Sequence, residues 1–279
     1  MLVSQVWTYP VKSMIGQQVD AVELDATGII GDRTWAVRDL ERGGIRGAKK
    51  IGPLMRLAAR DIADGHVEIT LPDGTTVRSC DDGVDQLVSS AVDRQVRLER
   101  LRPADDLEHY RRGAPDSDDM LAELNGIFGR EEGEPLPDFS VFPPEVMEYE
   151  SPPGTYYDAF PLLVMTTSAL TSIARALPDS NADVRRFRPS VVIDTPGEAG
   201  HPEFAWAGSR ATIGTATVEF NAPCPRCVMV TREIDESIPA DRAVLRHIVR
   251  DLDQNVGVYA TVVEPGSIRV GDELRFTSG

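Results

Sequence analysis

Three cysteines, four histidines and an aromatic fraction of 6% are a thin supply of chemical side chains for 279 residues, and basic residues are outnumbered 29 to 45. Each shortage excludes something. Three thiols cannot all pair, and two of them stand close together, so no secreted disulfide framework is expected. His66, His109, His201 and His247 show no ligand spacing and read as structural or solvent-facing. A formal net charge of −16 argues against a protein that grips nucleic acid by its phosphates. No stretch approaches the roughly 20 apolar residues of a spanning helix, so no membrane span is expected. The opening residues, MLVSQVWTYPVKS, hold no basic leader followed by an apolar core, and the expected location is the cytoplasm. No Gly-rich fingerprint follows a strand, which argues against NAD or FAD.

What is present is an ordinary globular composition, 41% apolar and 27% charged, in a length that suits one large or two modest domains. The first hundred residues read as strands. Leu2 to Thr8 and Val19 to Leu24 alternate, Thr34 to Val37 is short, and His66 to Leu71 and Thr75 to Ser79 flank the turn Pro72-Asp73-Gly74. Val84, Leu87, Val88 and Ala91 form a helical stripe that Asp81 or Asp82 could cap, and Gln95 to Leu101 returns to alternation. From about Pro103 to Pro153 acidic residues and prolines accumulate, a linker or insertion read as a solvated spacer with one helix around Met120 to Phe128.

Order resumes with Thr166-Thr167-Ser168, a hydroxyl cluster suited to cap a helix carrying Leu170, Ile173 and Leu177. Ser190 to Ile193 and Ala211 to Phe220 read as strands, Pro239 opens a helix with Val244, Leu245, Ile248 and Leu252 on one face, and Val256 to Val263 and Ile268 to Phe276 close the chain. The expected class is mainly β with some helices (α+β), divided at 1–102, 103–153 and 154–279, with the terminal strands free to pack on the first domain.

The sharpest motif is Asn221-Ala222-Pro223-Cys224-Pro225-Arg226-Cys227. A structural zinc site lacks a second ligand pair, and a thioredoxin-like pair expects a helix after the motif. The remaining reading is a single thiolate for a soft metal, with Arg226 favouring the ionised sulfur. Cys80 reads as a small buried hydrophobe. Cations also sit beside turn residues, at Lys12-Ser13, Asp32-Arg33, Lys49-Lys50 and Arg188-Pro189, and if they converge they form an anion site. Asp158, in Tyr156-Tyr157-Asp158-Ala159, reads best as an exposed loop carboxylate.

These pieces, with Tyr9-Pro10-Val11-Lys12-Ser13, Gly31-Asp32-Arg33-Thr34-Trp35, Phe187-Arg188-Pro189, Cys224-Pro225-Arg226-Cys227 and the ending Pro265-Gly266-Ser267-Ile268-Arg269-Val270-Gly271-Asp272, resemble the MOSC family (molybdenum cofactor sulfurase C-terminal domain) with its N-terminal β-barrel domain. Within that family the chain is most similar to the amidoxime-reducing components and their bacterial relatives. The resemblance implies an N-terminal β-barrel-like domain plus a MOSC β-barrel domain clasping a molybdenum cofactor of the molybdopterin type. It implies Cys227 as the thiolate on molybdenum and the catalytic residue. Lys12, Ser13, Arg33, Lys49, Arg188 and Arg226 would hold the cofactor, and Thr166, Thr167 and Ser168 would add a helix start that favours phosphate.

The function so implied is reduction of small N-hydroxylated or N-oxide compounds, with electrons from an external electron-transfer protein. Two rivals stand beside it: a cofactor carrier or sulfur-handling protein in cofactor maturation, and a module using the cysteines for zinc or a reversible disulfide. Pyridoxal phosphate is not expected, because the length leaves no room for the desulfurase domain that binds it.

Overall fold

The computed structural model describes residues 1–277, so the last two residues of the expected 154–279 domain lie outside it. The first hundred residues supply β1 (Leu2–Thr8), β2 (Gln17–Val19), β3 (Ala21–Asp25), β4 (Gly28–Ile29), β5 (Trp35–Asp39), β6 (Ile45–Arg46), β7 (Ala58–Asp61), β8 (Val67–Thr70), β9 (Thr76–Arg78), α1 (Val84–Val92) and β10 (Val96–Arg100). The middle contributes α2 (Leu107–Tyr110), α3 (Met120–Phe128) and α4 (Glu145–Glu148). Then come β11 (Leu162–Thr166), α5 (Thr167–Ala176), β12 (Val191–Asp194), β13 (Arg210–Ile213), β14 (Ala216–Pro225), α6 (Arg242–Asp251), β15 (Asn255–Glu264), β16 (Gly266–Arg269) and β17 (Leu274–Phe276).

An eight-stranded sheet runs β17-β13-β14-β15-β11-β12-β1-β2, and three-stranded sheets run β10-β5-β6, β16-β3-β4 and β7-β8-β9. The mainly β, α+β class expected from the sequence is the class observed. The two halves trade strands. β1 pairs antiparallel with β12 (Val3 opposite Ile193, Val6 opposite Val191), and β16 returns to β3 (Ile268 opposite Val22). They also share a core, because Met229, Ile234 and Ile238 pack with Met14, Leu54 and Ile69 of the first half. Burying those three side chains anchors the chain just after Cys227 against the first domain, by roughly 1.5–3 kcal/mol each.

Several local expectations change. The run Ala211 to Phe220 is two strands, because Gly214 turns the chain at φ +62° where a Cβ would meet the Ser267 carbonyl. The apolar alternation changes phase at the turn, from Ala211 and Ile213 to Ala216, Val218 and Phe220, and reading the run as one strand passes over that slip. Gly271, at φ +92°, likewise lies between β16 and β17. Gly83, not Asp81 or Asp82, precedes α1, and Asp241, not a position set by Pro239, caps α6 by accepting from the Ala243 N–H at 2.8 Å. Cys80 is exposed rather than buried: it follows β9 in a turn, where no apolar neighbour covers it.

The largest departure is the acidic middle. Its helix Met120–Phe128 forms as expected, capped by Asp119, but several of its charges are paired with cations of both halves. Asp116 pairs with Arg46 at 3.0 Å and Lys50 at 3.2 Å, Glu123 pairs with Lys50, and Glu134 pairs with Arg246 and with Arg250 at 3.1 Å. Phe128, Phe139 and Phe142 pack in series, the first pair edge to face and the second tilted, with centroids 5.6 and 6.3 Å apart. The segment is a strap tied to both halves. Composition counts its acids but not the arginines waiting for them elsewhere in the fold.

Candidate functional site

Where the halves meet, a cleft of about 690 Å³, its open mouth included, is walled by the Lys12–Ser13 turn, Arg33, the 157–161 loop, residues 186–188 and the Cys224–Cys227 turn. Five cations line it (Lys12, Arg33, Arg186, Arg188 and Arg226) against one carboxylate, Asp158. In a chain of net charge −16 that concentration is a local patch of positive charge.

The backbone is bent to make it. Ser13, Arg33 and Arg188 all hold left-handed conformations, at φ +69°, +49° and +56°. A non-glycine residue there costs about 1–3 kcal/mol, and such strain gathers at functional sites. Contacts hold each one in place. The Ser13 hydroxyl accepts the Ala48 N–H at 2.9 Å, the Arg33 N–H donates to the Tyr9 carbonyl at 2.8 Å, and Arg188 Nη1 donates to the Met14 carbonyl. The buried Tyr9 ring lies against both arginines, with Arg188 Cζ 4.2 Å and Arg33 Cζ 5.1 Å from its centroid. Arg33 pairs with buried Asp32, which also accepts the Tyr9 N–H at 2.5 Å.

Lys12, 3% exposed, donates to Asp158 Oδ1 at 2.6 Å, the Tyr156 carbonyl at 2.9 Å and Ser151 Oγ at 3.3 Å. Lys49 approaches the same Asp158 oxygen at 3.3 Å. Desolvation pulls the Asp158 pKa upward, but Lys12 and then Lys49 outweigh it and hold the carboxyl well below the usual carboxylate range. Burial pulls Lys12 downward against the opposing pull of Asp158. Asp158 is therefore not a free loop carboxylate: it is the counter-ion of two lysines that are distant in sequence.

Arg186 is engaged with the carbonyls of Asn181, Val230, Arg232 and Pro239, a structural commitment. Arg188 and Arg226 are not fully engaged. Arg188 Nη2 and Arg226 Nε are buried and have no hydrogen-bond partner, a costly state unless a ligand supplies acceptors. Burial, and then Arg33, bring the Arg188 guanidinium down to about 10, so it remains charged at neutral pH.

The two cysteines differ, though not as the sequence suggests. Arg226 Nη1 donates to Cys224 Sγ at 3.1 Å and Nη2 to the Phe187 carbonyl at 2.7 Å, so its direct hydrogen bond to sulfur goes to the buried Cys224 rather than to Cys227. Burial pushes the Cys224 thiol up, and Arg226 and Tyr259 oppose this only in part. Cys227, half-buried, stands at the end of the turn and opens into the cleft. Among the described residues no group of three or more His, Cys, Asp or Glu side chains could hold a metal ion.

The structure thus brings Lys12, Ser13, Arg33, Arg188, Arg226 and Cys227 to one cleft, with Lys49 behind Asp158. Thr166, Thr167 and Ser168 are elsewhere. Thr166 ends β11, whose Leu163 lines the cleft, so the three begin about 10 Å away at strand rise. Thr167 and Ser168 line a second groove with Thr195. Thr166 caps α5 by accepting the Ala169 N–H at 3.1 Å and donates to Glu203 at 2.7 Å. Sequence reasoning passed over Tyr259 and Arg130, and quoted Tyr9 and Asp32 in their motifs without giving them a role.

The site is a cationic cleft at a strand-sharing junction of two β-rich halves, edged by a thiol. Residues 1–97 match the MOSC N-terminal beta barrel domain and residues 152–275 the MOSC domain, and the chain belongs to the MOSC-domain proteins that carry this barrel. It is 24% identical over 304 residues to mitochondrial amidoxime reducing component 2 of Bos taurus, covering 98% of this chain and 82% of that one. It is 23% identical over 311 residues to mitochondrial amidoxime-reducing component 1 of Homo sapiens, with the same coverage, 98% and 82%. Component 2 of Macaca fascicularis is 28% identical over 131 residues, 43% of this chain and 38% of the relative. No helix among the described residues is long and apolar enough to cross a membrane.

Proposed function

We propose that this chain reduces small N-hydroxylated or N-oxide compounds, using a molybdenum–pterin cofactor held in the cleft and electrons from a separate protein. The observation that carries the reading is the convergence of partnerless buried guanidinium nitrogens with the Cys227 sulfur in one cationic cleft. The group fits what is there. Its phosphate and the acceptor atoms of its pterin suit Arg188 Nη2 and Arg226 Nε, with Lys12, Ser13 and Arg33 on the same wall, and a soft metal suits a thiolate. When bound, the cofactor supplies two-electron redox chemistry at the metal.

The chain's own residues do the rest. Arg33 and Arg188, braced on Tyr9, present a fixed cationic wall that needs no rearrangement to receive an anion. Asp158, kept ionised by its lysines, accepts hydrogen bonds from a substrate N–H and carries no proton to deliver near neutral pH. Lys49 acts through Asp158. The acidic exterior suits a donor protein with a basic docking face. The free thiols Cys224 and Cys227 suit a reducing compartment, for which we propose the cytoplasm.

The test is turnover of a simple N-hydroxylated amidine with a reduced artificial electron donor, using protein purified from a host that makes the cofactor. Turnover that disappears in Cys227→Ser is the expected result. Full loading with molybdenum and pterin but no reduction of any N-oxygenated compound would replace the enzyme with a cofactor carrier.

A further inference from the structure

The stretch from 98 to 151 lies outside both matched domains, yet one of its side chains reaches the cysteine turn. Arg130 is 8% exposed. The strap aims it: Nε donates to the Pro135 carbonyl at 3.0 Å and Nη1 to the Phe128 carbonyl at 2.5 Å. The outer edge of the guanidinium then faces two groups. Nη2 donates to Gln254 Oε1 at 2.7 Å, and Nη1 and Nη2 each reach the Arg226 carbonyl at 3.4 Å, the oxygen of the peptide unit that leads into Cys227.

Gln254 needs holding. It and Asp253 are both left-handed, at φ +69° and +47°, a strained pair that persists only where surrounding contacts enforce it. The Gln254 carbonyl accepts the Arg226 N–H at 2.8 Å, and the Gln254 N–H donates to the Ile248 carbonyl at 2.9 Å. Arg130, Gln254 and Arg226 therefore form a closed ring of contacts around the residue before Cys227. The strap in turn is fixed on both sides, by Glu123 on Lys50 and by Glu134 on Arg246 and Arg250, while Arg246 also donates to the Gly129 carbonyl beside Arg130. Three of these tethers bring opposite charges together, and the fourth extends the grip to the main chain.

We propose that Arg130 is a positioning residue for Cys227, and that the strap's role in this chain is to deliver its guanidinium to the Gln254–Arg226 turn. The proposal rests on the reading of Cys227 as the metal-bound thiolate. It makes the planar fork, and not charge alone, the feature that matters, because one side chain must serve Gln254 and the Arg226 carbonyl together.

The experiment compares full-length wild type with Arg130→Gln, Arg130→Lys and, as a control at the strap's outer edge, Glu148→Gln, which removes only an exposed pair with Arg111. Residue-resolved hydrogen exchange on cofactor-free protein reads the Arg226 and Gln254 amides directly. Both Arg130 variants are expected to lose protection there by about tenfold or more, the scale of one charged hydrogen bond, with the rest of the chain and the Glu148→Gln control unchanged. In loaded protein the Mo(V) electron paramagnetic resonance spectrum should shift in both Arg130 variants while the melting temperature stays near wild type, which a merely structural role would not produce. Unchanged exchange at those two amides, or full restoration by Arg130→Lys, would overturn the proposal. Loosened amides in a chain that never takes up molybdenum would leave the positioning of the turn standing and remove the cofactor reading beneath it.

Discussion

The parallel strands β11 and β12 have a cavity near each end, and the two are built on opposite principles. At their C-terminal ends, hydroxyls are spent on neighbours: Thr166 on Glu203 at 2.7 Å, Thr167 on Asp194 at 2.9 Å, and Thr195 on Ser168 at 2.9 Å, with Glu203 Oε1 and the His201 ring nitrogens close by left without a hydrogen bond. At the N-terminal ends, guanidinium groups crowd together, backbone is strained at Ser13, Arg33 and Arg188, and two buried donors are left without acceptors. The rule that ligands bind beyond the carboxyl ends of strands belongs to open parallel sheets. This sheet is largely antiparallel, and its buried cationic donors without acceptors, Arg188 Nη2 and Arg226 Nε, lie at the other end.

The sharpest way to break that contrast is to exchange one reactive atom on each side. Cys227→Ser should lower reductase activity by at least about a hundredfold, since loss of even a supporting group at a metal site typically costs ten- to a hundredfold. Thr167→Ala should leave turnover within about twofold, as expected for a surface-facing change outside the site. Steady-state assays with an artificial donor decide both, and equal losses would erase the distinction between the ends.

Retention of the cofactor gives the next largest effect. Arg188→Gln should release pterin about ten- to a hundredfold more readily, the equivalent of one charged hydrogen bond, whereas Ser168→Ala should retain it like wild type. Bound pterin after gel filtration is the readout. A loss in Ser168→Ala would return the phosphate to the helix start.

Stability should show the reverse pattern. Thr166→Val removes the α5 cap and leaves buried Glu203 without its donor, a loss of about 1–3 kcal/mol in urea unfolding with pterin retention unchanged. The smallest effect concerns pH. The folded-state pKa of Asp158 lies below its unfolded value of about 4, so its contribution to stability is complete above that value and is lost as pH falls toward the folded pKa. The stability difference between wild type and Asp158→Asn should therefore be flat from pH 7 to about 5 and shrink below about 4. A difference that grows on acidification would mean that the lysines do not hold the carboxylate.

Much of the site was legible in the sequence because its cations sit in turns, next to residues that bend the chain, and turns carry local signals. Lys12, Arg33 and Arg188 could be picked out one by one in that way. Their meeting place could not, since it depends on β1 crossing to β12 and on Met229 plugging into the opposite core. Hydroxyls at a helix start carry the same local signal whether they cap the helix or bind phosphate, so Thr166, Thr167 and Ser168 looked like site residues. Arg226 lies one position from Cys227 in sequence, but the extended turn aims its guanidinium back at Cys224. The strap misled for another reason. Its acidic side chains look solvated until folding brings Arg46, Lys50 and Arg246 to them, and Arg130 gains meaning only from Gln254, far along the chain.

On the function proposed here, the leftover donors and the Cys227 thiol hold one molybdenum–pterin group between them. Metal and pterin analysis of the purified chain, alongside Cys227→Ser and Arg188→Gln, addresses it most directly. The expected result is molybdenum and pterin in matching, near-stoichiometric amounts in the wild type, molybdenum lost but pterin partly retained in Cys227→Ser, and both depleted in Arg188→Gln. Zinc in place of molybdenum, or a pterin content indifferent to Arg188, would contradict it.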